Sequence, residues 1–390
     1  MMEDYFTMAI SALLDAFRPR RNRPRLLGLP VAVASVTGLA LAAVPGMAAA
    51  TSHAAGAVTS APAVVAYAIG NKPSTPSYMP ERGYSFNSTG EGIRIVRSNT
   101  GTYTVRFFGL GAFAGQGTVD VTAEGLQPSQ CEVVHWVPDP TGTILLVRVN
   151  CFTVSGAKLD APFMVAYTSG GSTTGTTDFV WADQPAASSY TPSLPFQFNS
   201  SGGTNTIRHL GLGRYRVHMP GPDVADGSVK VTAYGSNANS CQVVEWLNVA
   251  AGQNVFVDCF TPAGAPVNNR FTTTFTASDD LFGDGGPSGY LWGNDPSSSS
   301  YTPDSAYQFD TAGTSATVTR FGTGEYETLF PNETHGAQGD EQATAYGSIP
   351  AHCIVDGPIG NGTSEQGDVF CFDTNGNELD TTYTMQWMIF

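Results

Sequence analysis

The segment Asp373-Thr374-Asn375-Gly376-Asn377-Glu378-Leu379-Asp380 places oxygen-bearing side chains at alternate positions, the spacing with which a loop wraps a hard cation such as calcium. Asp373, Asn375, Asn377 and Asp380 would be the ligands. The stretch lacks the Asp-x-Asp-x-Asp-Gly frame and the closing bidentate Glu of a helix-flanked calcium loop, and the matching segments Thr261-Pro262-Ala263-Gly264 and Thr153-Val154-Ser155-Gly156 read as hairpin turns. Calcium here is the one cofactor the sequence raises; otherwise none is expected.

The second candidate chemistry is aromatic. Trp181 and Trp292 occupy one matching position, and Tyr78, Tyr190 and Tyr301 another beside Pro- and Ser-rich stretches. Exposed Trp and Tyr faces suit sugar rings or partner proteins. Trp181, Trp292, Tyr190 and Tyr301 are therefore the candidate ligand-binding residues, whereas Trp136 and Trp246, in strands just after a Cys, read as core.

Catalytic chemistry is not expected. His53, His135, His209, His218, His335 and His352 fall at no common place in the chain's repeats, and none is partnered by a Ser or Cys in sequence. Glu325 and Glu327 share a strand face, where two carboxylates could do acid and base work, but Thr102 with Thr104 and Arg214 with Arg216 stand there in the matching strands, which favours a solvated face. Gly283-Asp284-Gly285-Gly286-Pro287 has the glycines of a serine-nucleophile loop without the serine, and reads as a linker.

The elements that must position these residues recur three times, at a spacing of 111 to 112 residues. Gly101-Thr102-Tyr103, Gly213-Arg214-Tyr215 and Gly324-Glu325-Tyr326 match, as do Val121-Thr122-Ala123, Val231-Thr232-Ala233 and Ala343-Thr344-Ala345. Within each unit apolar residues alternate with period two, as in Tyr103, Val105 and Phe107 against Thr104 and Arg106, which predicts half-buried strands. About eight such runs per unit predict an all-β chain of three tandem jelly-roll-like β-sandwich domains, over residues 64–168, 177–277 and 288–390, strung as separate beads on Gly- and Ser-rich linkers.

Six cysteines permit fifteen pairings, but each repeat carries two, 20, 18 and 18 residues apart, around a turn between two strand-like runs. The repetition selects Cys131 with Cys151, Cys241 with Cys259 and Cys353 with Cys371. Each would close a short loop worth roughly 3 kcal/mol in the chain-entropy model.

Charge and composition set the compartment. The 390-residue chain has 18 Lys and Arg against 33 Asp and Glu, a net charge of −15, which excludes a general nucleic-acid binder. Arg18, Arg20, Arg21, Arg23 and Arg25 precede an apolar run from Leu26 to Val44 and the small residues Ala48-Ala49-Ala50, the pattern of a signal peptide over residues 1–50, with 51–63 as a flexible segment after it. No later run is long enough to span a membrane, so the product is expected to be secreted and extracellular, with no membrane attachment after cleavage.

The repeated Trp, Pro, Tyr-Thr-Pro, Phe-Asn-Ser, Gly-x-Tyr-x-Val and Cys-x-Val-Val-x-Trp elements resemble those of secreted tandem-repeat β-proteins of high-GC Gram-positive bacteria, which lack an assigned function. The resemblance implies export and a β-rich repeat and transfers no catalytic residue. The Gly-x-Tyr-x-Val strand is also similar to jelly rolls of the complement-C1q kind. Two function classes remain: a non-enzymatic binding or structural protein presenting repeated surfaces to a glycan, the cell envelope or a secreted protein, which we favour, and a secreted protease inhibitor or hydrolase. Ile69 replaces the first Trp in repeat 1 and Gly357 the second in repeat 3, so neither Trp position is common to all three repeats.

Overall fold

The computed structural model describes residues 63–171, 175–221, 224, 226–278, 286–333, 339–358 and 362–390. The expected signal segment, nearly all of the flexible segment after it, the middle of both linkers, His53 and His335 lie outside the described residues. Among those described the chain is all-β, with nine strands in each repeat and three single-turn 3-10 helices. The ninth strand, which the period-two pattern was too short to show, is the two-residue Ser77–Tyr78, matched by Ser189–Tyr190 and Ser300–Tyr301.

Each repeat contributes a four-stranded and a five-stranded set that enclose a core of their own. In repeat 1, Val119, Val121 and Val165 from one set meet Val105, Phe107, Val147 and Trp136 from the other. The five-stranded set of one repeat, however, runs on into the four-stranded set of the next. Two of the four sheets therefore have nine strands, drawn from repeats 1 and 2 and from repeats 2 and 3. The junctions are single parallel pairings, Val133 with Tyr234 and Val243 with Tyr346. A bridge between Glu124 and Val355 links repeat 3 back to repeat 1, so the three repeats close on themselves. The same main-chain bond marks all three junctions, at 2.8 Å each: Gly235 N–H to Val133 O, Gly347 N–H to Val243 O and Gly125 N–H to Val355 O. The expectation of separate beads is thereby corrected. Inter-strand hydrogen bonding crosses the repeat boundaries and joins the described residues, from 63 to 390, into one unit.

Closure brings the strands Thr118–Ala123, Ser228–Tyr234 and Asp340–Tyr346 together on a pseudo-threefold axis. Their facing edges carry main-chain groups that no ladder satisfies. The recurring Thr of the Val-Thr-Ala marker supplies the missing partners. The hydroxyl of Thr232 accepts from Val121 N–H at 3.0 Å, that of Thr344 from Val231 N–H at 3.3 Å, and that of Thr122 from Ala343 N–H at 3.2 Å. A second layer repeats the device, with Thr272 donating to Val119 O and Thr384 to Val229 O. Repeat 1 has Met164 in that place, and its Sδ lies 3.1 Å from Glu341 N. Beside the threonines Lys230 is fully buried and donates to Thr384 O at 2.8 Å. Burial works against its charge, and the Asp120 and Asp340 carboxylates support it.

Three disulfides are present, Cys131–Cys151, Cys241–Cys259 and Cys353–Cys371, each joining directly opposed residues of an antiparallel pair with Cα atoms 4.0 to 4.1 Å apart. The Gly of each Gly-x-Tyr marker is required beside them. Gly101 sits at φ 56° with Cys151 O only 2.4 Å from where a Cβ would stand, and Gly213 and Gly324 repeat the contact. Because the repeats share sheets, calorimetry is expected to show one cooperative unfolding transition, and Thr344→Val, which strips two edge groups of their partner, should cost about 1 to 3 kcal/mol. Three resolved transitions would contradict this closure.

Candidate functional site

The repeats are internal controls for one another: where two agree and the third departs, packing alone no longer accounts for the residue. The tryptophans show this first. Trp136 meets Trp181, Phe196 and Tyr234 at ring-centroid distances of 5.5, 5.7 and 5.8 Å, across the seam between repeats 1 and 2. Trp246 meets Trp292, Tyr307 and Tyr346 at 5.7, 5.6 and 5.4 Å across the next seam. Trp181 and Trp292 thus pack between repeats and do not form outward platforms, while Trp136 and Trp246 are buried as expected. Their position next to a linker suggested exposure, but the linker leads into a seam. Tyr190 and Tyr301 stand apart from them. Each hydroxyl accepts a main-chain N–H six residues back, from Gln184 and Asp295, and so braces a Pro-containing turn, as Tyr78 does with Lys72.

The four candidate calcium ligands divide between two structural tasks. Asp373 Oδ1 accepts Asn375 N–H and Asn377 N–H, closing the hairpin tip that Thr153 and Thr261 close through Ala157 N–H and Ala265 N–H. The Asn375 and Asn377 side chains turn back onto Asp373 Oδ2. The three tips pack in rotation around the axis: Gly156 against Pro262, Gly264 against Thr374, Gly376 against Val154 and Pro128. Asp380 serves elsewhere. It takes Arg320 in two bonds of 2.9 and 2.8 Å, with Gly324 N–H at 2.8 Å and Tyr326 OH at 3.1 Å, and the Arg320 guanidinium holds its pKa down. Arg97 and Asp160 make the same lock in repeat 1, and His209 with Asn268 makes it in repeat 2. Among the described residues no three acidic, His or Cys side chains stand close enough to hold a metal.

The third seam breaks the pattern. Where the other two have a four-ring aromatic box, the seam between repeats 3 and 1 has Gly357, Ile69, Tyr84 and Glu124. The loss of a Trp at Gly357 and of a Val at Gly367 leaves room in the core of repeat 3. Ile69 and Met164 of repeat 1 join that core, with Tyr84 packed against it. The Glu341 carboxylate occupies the rest: a Cβ on either glycine would lie 2.6 Å from one of its oxygens. By the strand registers, Glu341 stands where repeats 1 and 2 have Val119 and Val229, and Glu365 where they have Leu145 and Gln253. Both glutamates are fully buried and none of their four carboxyl oxygens has a hydrogen-bond partner. Burial, then the neighbouring acids Glu365, Asp368, Asp340 and Glu124, pushes Glu341 up; burial and Glu333 push Glu365 to about 8; burial and Asp356 push Glu124 to about 8. Burial and like charge thus favour the protonated form of each of these carboxyl groups. Nothing in the alternating sequence separated them from solvated glutamates, although their register against Val119 and Leu145 was a usable signal.

On its outer side repeat 2 has a shallow cleft of about 220 Å³, lined by Leu210, Val244 and Phe256 with Arg214, Glu245 and Asp258. Arg214 Nε lies 3.4 Å from Asp258 Oδ1. Leu212 at the adjoining turn and Leu247 two residues beyond Glu245 are also exposed. The position of Phe256 is Arg148 in repeat 1 and Asp368 in repeat 3, so the three outer faces do not repeat one surface. Of the histidines, His218 pairs with Asn254, and His352 is buried and held down to about 4 by desolvation; neither meets a nucleophile.

Two measurements test these assignments. Trp181→Ala is expected to cost about 3 kcal/mol of stability, as a packed aromatic does, against about 0.5 or less for a surface platform. The raised glutamates favour the protonated folded state, so their stability is fully present below their ordinary pKa of 4.5 and is lost as pH rises toward 8. Glu365→Gln should therefore raise the melting temperature at pH 8 and leave it unchanged at pH 4; equal profiles for the two proteins would show that Glu365 ionises freely. No family model matches the chain, and no curated protein or solved structure is significantly similar to it.

Proposed function

We propose that this chain is an exported, non-enzymatic binding protein in which three jelly-roll-like sandwiches act as one rigid body and recognise a protein segment through the outer face of repeat 2. Export is supported by three disulfides, which persist in oxidising compartments, and by the signal pattern at the start of the sequence. No helix among the described residues is long and apolar enough to cross a membrane.

The observation that carries the reading is the repeat 2 cleft. Leu210 is 47% and Leu212 62% exposed on a hairpin whose turn is fixed beneath them by the bonds from His209 and Gly213 to Asn268. Apolar side chains held out on a rigid frame lose little entropy on binding, and an ion pair beside them orients a polar group of the partner. A protein partner is favoured over a glycan because the tryptophans that would stack on sugar rings are spent in the seams. Peptide-display selection on the full chain is the test. Selected peptides should carry an apolar anchor next to charge, and Leu210→Ser with Phe256→Ser should weaken them about tenfold or more, about 1.4 kcal/mol, at an unchanged melting temperature. Binding that survives both substitutions, or a glycan response that survives them, would move recognition away from this face.

A further inference from the structure

The outer sheets of repeats 1 and 3 occupy equivalent places in the fold and carry opposite charge. On repeat 1, Arg94 stands directly opposite Arg106, and Arg148 directly opposite His135, on one face of neighbouring strands. On repeat 3, the row that matches Val96, Thr104, Arg148 and His135 is Thr319, Glu327, Asp368 and Asp356, each opposite the next across four strands, with Glu325 one pair further along, while Thr317 and Leu329 stand in the places of Arg94 and Arg106. Position for position, Arg148 corresponds to Asp368, His135 to Asp356 and Thr104 to Glu327.

Neither face settles its charge within the chain. The ion pairs among the described residues are Lys72 with Glu81, Arg97 with Asp160, Arg214 with Asp258 and Arg320 with Asp380, so Arg94, Arg106 and Arg148 meet no carboxylate within 4.0 Å, and Glu325, Glu327, Asp356 and Asp368 meet no cation. The Nε of Arg106 is buried without a hydrogen-bond partner, as is one oxygen of Asp368. After Gly285 the chain has a single Arg or Lys, Arg320, against fourteen acids, and Arg320 is committed to Asp380. Like charges set directly opposite one another destabilise a sheet, so each face carries a cost that an oppositely charged sheet laid against it would remove. Burial, then Glu327 with Asp356 and Glu325, pushes Asp368 to about 6, which records that cost on one side.

We propose that copies of this chain associate head to tail, the basic outer sheet of repeat 1 of one copy lying on the acidic outer sheet of repeat 3 of the next. The two faces belong to different repeats of one rigid body, so the contact is heterologous. It leaves a free acidic face at one end and a free basic face at the other, so association continues past a symmetric dimer, into a ring where the rotation closes and an open array where it does not. The contact uses no residue of the repeat 2 cleft, so loss of peptide binding and loss of association are separate outcomes.

Sedimentation of the full chain tests this. In about 0.15 M salt, where screening sets in beyond about 8 Å, the wild type should form oligomers whose size rises with concentration; in about 1 M salt, with a screening length near 3 Å, it should return to a monomer. Arg106→Glu with Arg148→Glu, and separately Glu327→Lys with Asp368→Lys, should each give a monomer that melts cooperatively and whose self-association is weakened at least about tenfold. Mixed in equal amounts, the two variants are complementary at both contacts, wild-type acidic on wild-type basic and introduced acidic on introduced basic, and should associate again. A wild type that stays monomeric at low and high salt, or a mixture of variants that does not pair, would overturn the proposal; the salt dependence of the wild type decides it if a variant fails to fold.

Discussion

Three sheet edges converge on the axis of this protein, and the donors and acceptors they expose must be satisfied where water is excluded. Threonine meets that constraint with the least bulk: one hydroxyl can accept from a main-chain N–H and donate to a carbonyl, and its methyl packs like that of Val. Thr122, Thr232 and Thr344 each reach into the edge of the preceding repeat, repeat 1 reaching round to repeat 3. Everything else follows from that closeness. The strands cannot approach the axis without aligning the five-stranded set of one repeat with the four-stranded set of the next. The seams so formed need large side chains at their outer rim, and the hairpin tips beyond the disulfides are brought within contact of one another.

The sequence made part of this legible, and the limit has a physical cause. Period-two alternation records which side of a strand is apolar, so all eight strand-like runs per repeat could be read from it. The disulfides could be paired because opposed residues of a hairpin recur at nearly fixed separation. Alternation does not record what faces the polar side. Thr272 and Thr274 look like part of a solvated row and are entirely buried, bonded to Val119 and Asp120 of repeat 1. For the same reason closure of the repeats was missed, and Trp181 and Trp292 were read as platforms. The fate of Asp380 was closer to hand: Arg97 with Asp160, His209 with Asn268 and Arg320 with Asp380 change together between repeats, as contacting residues do.

Departure from internal symmetry separates the structural positions from the rest. Two seams are built alike from Trp and Tyr, and any function they share is packing. The third keeps Tyr84 and replaces the other three rings with Gly357, Ile69 and Glu124, and the Glu341 and Glu365 carboxyl groups take positions that are apolar in repeat 1. Repeat 3 has thereby become acid-rich both in its core and on its outer sheet, while repeat 1 keeps an apolar core beneath a basic sheet. The three nine-strand sets share one strand order, and their charges differ strongly from one set to the next.

The closure of the repeats bears on how such a chain comes to be folded. Phe390, the last residue, stacks on Phe86 at 4.8 Å and lies 6.1 Å from Tyr67, in a small cluster that includes the first strand. A polypeptide is made in order, so repeat 1 is complete with one edge exposed before repeat 3 can cover it. During that interval the protein is an open strand edge of the kind that other chains can extend. That edge is covered when repeat 3 docks on repeat 1, so the order of folding, as well as the stability of each repeat, bears on its risk of misassembly.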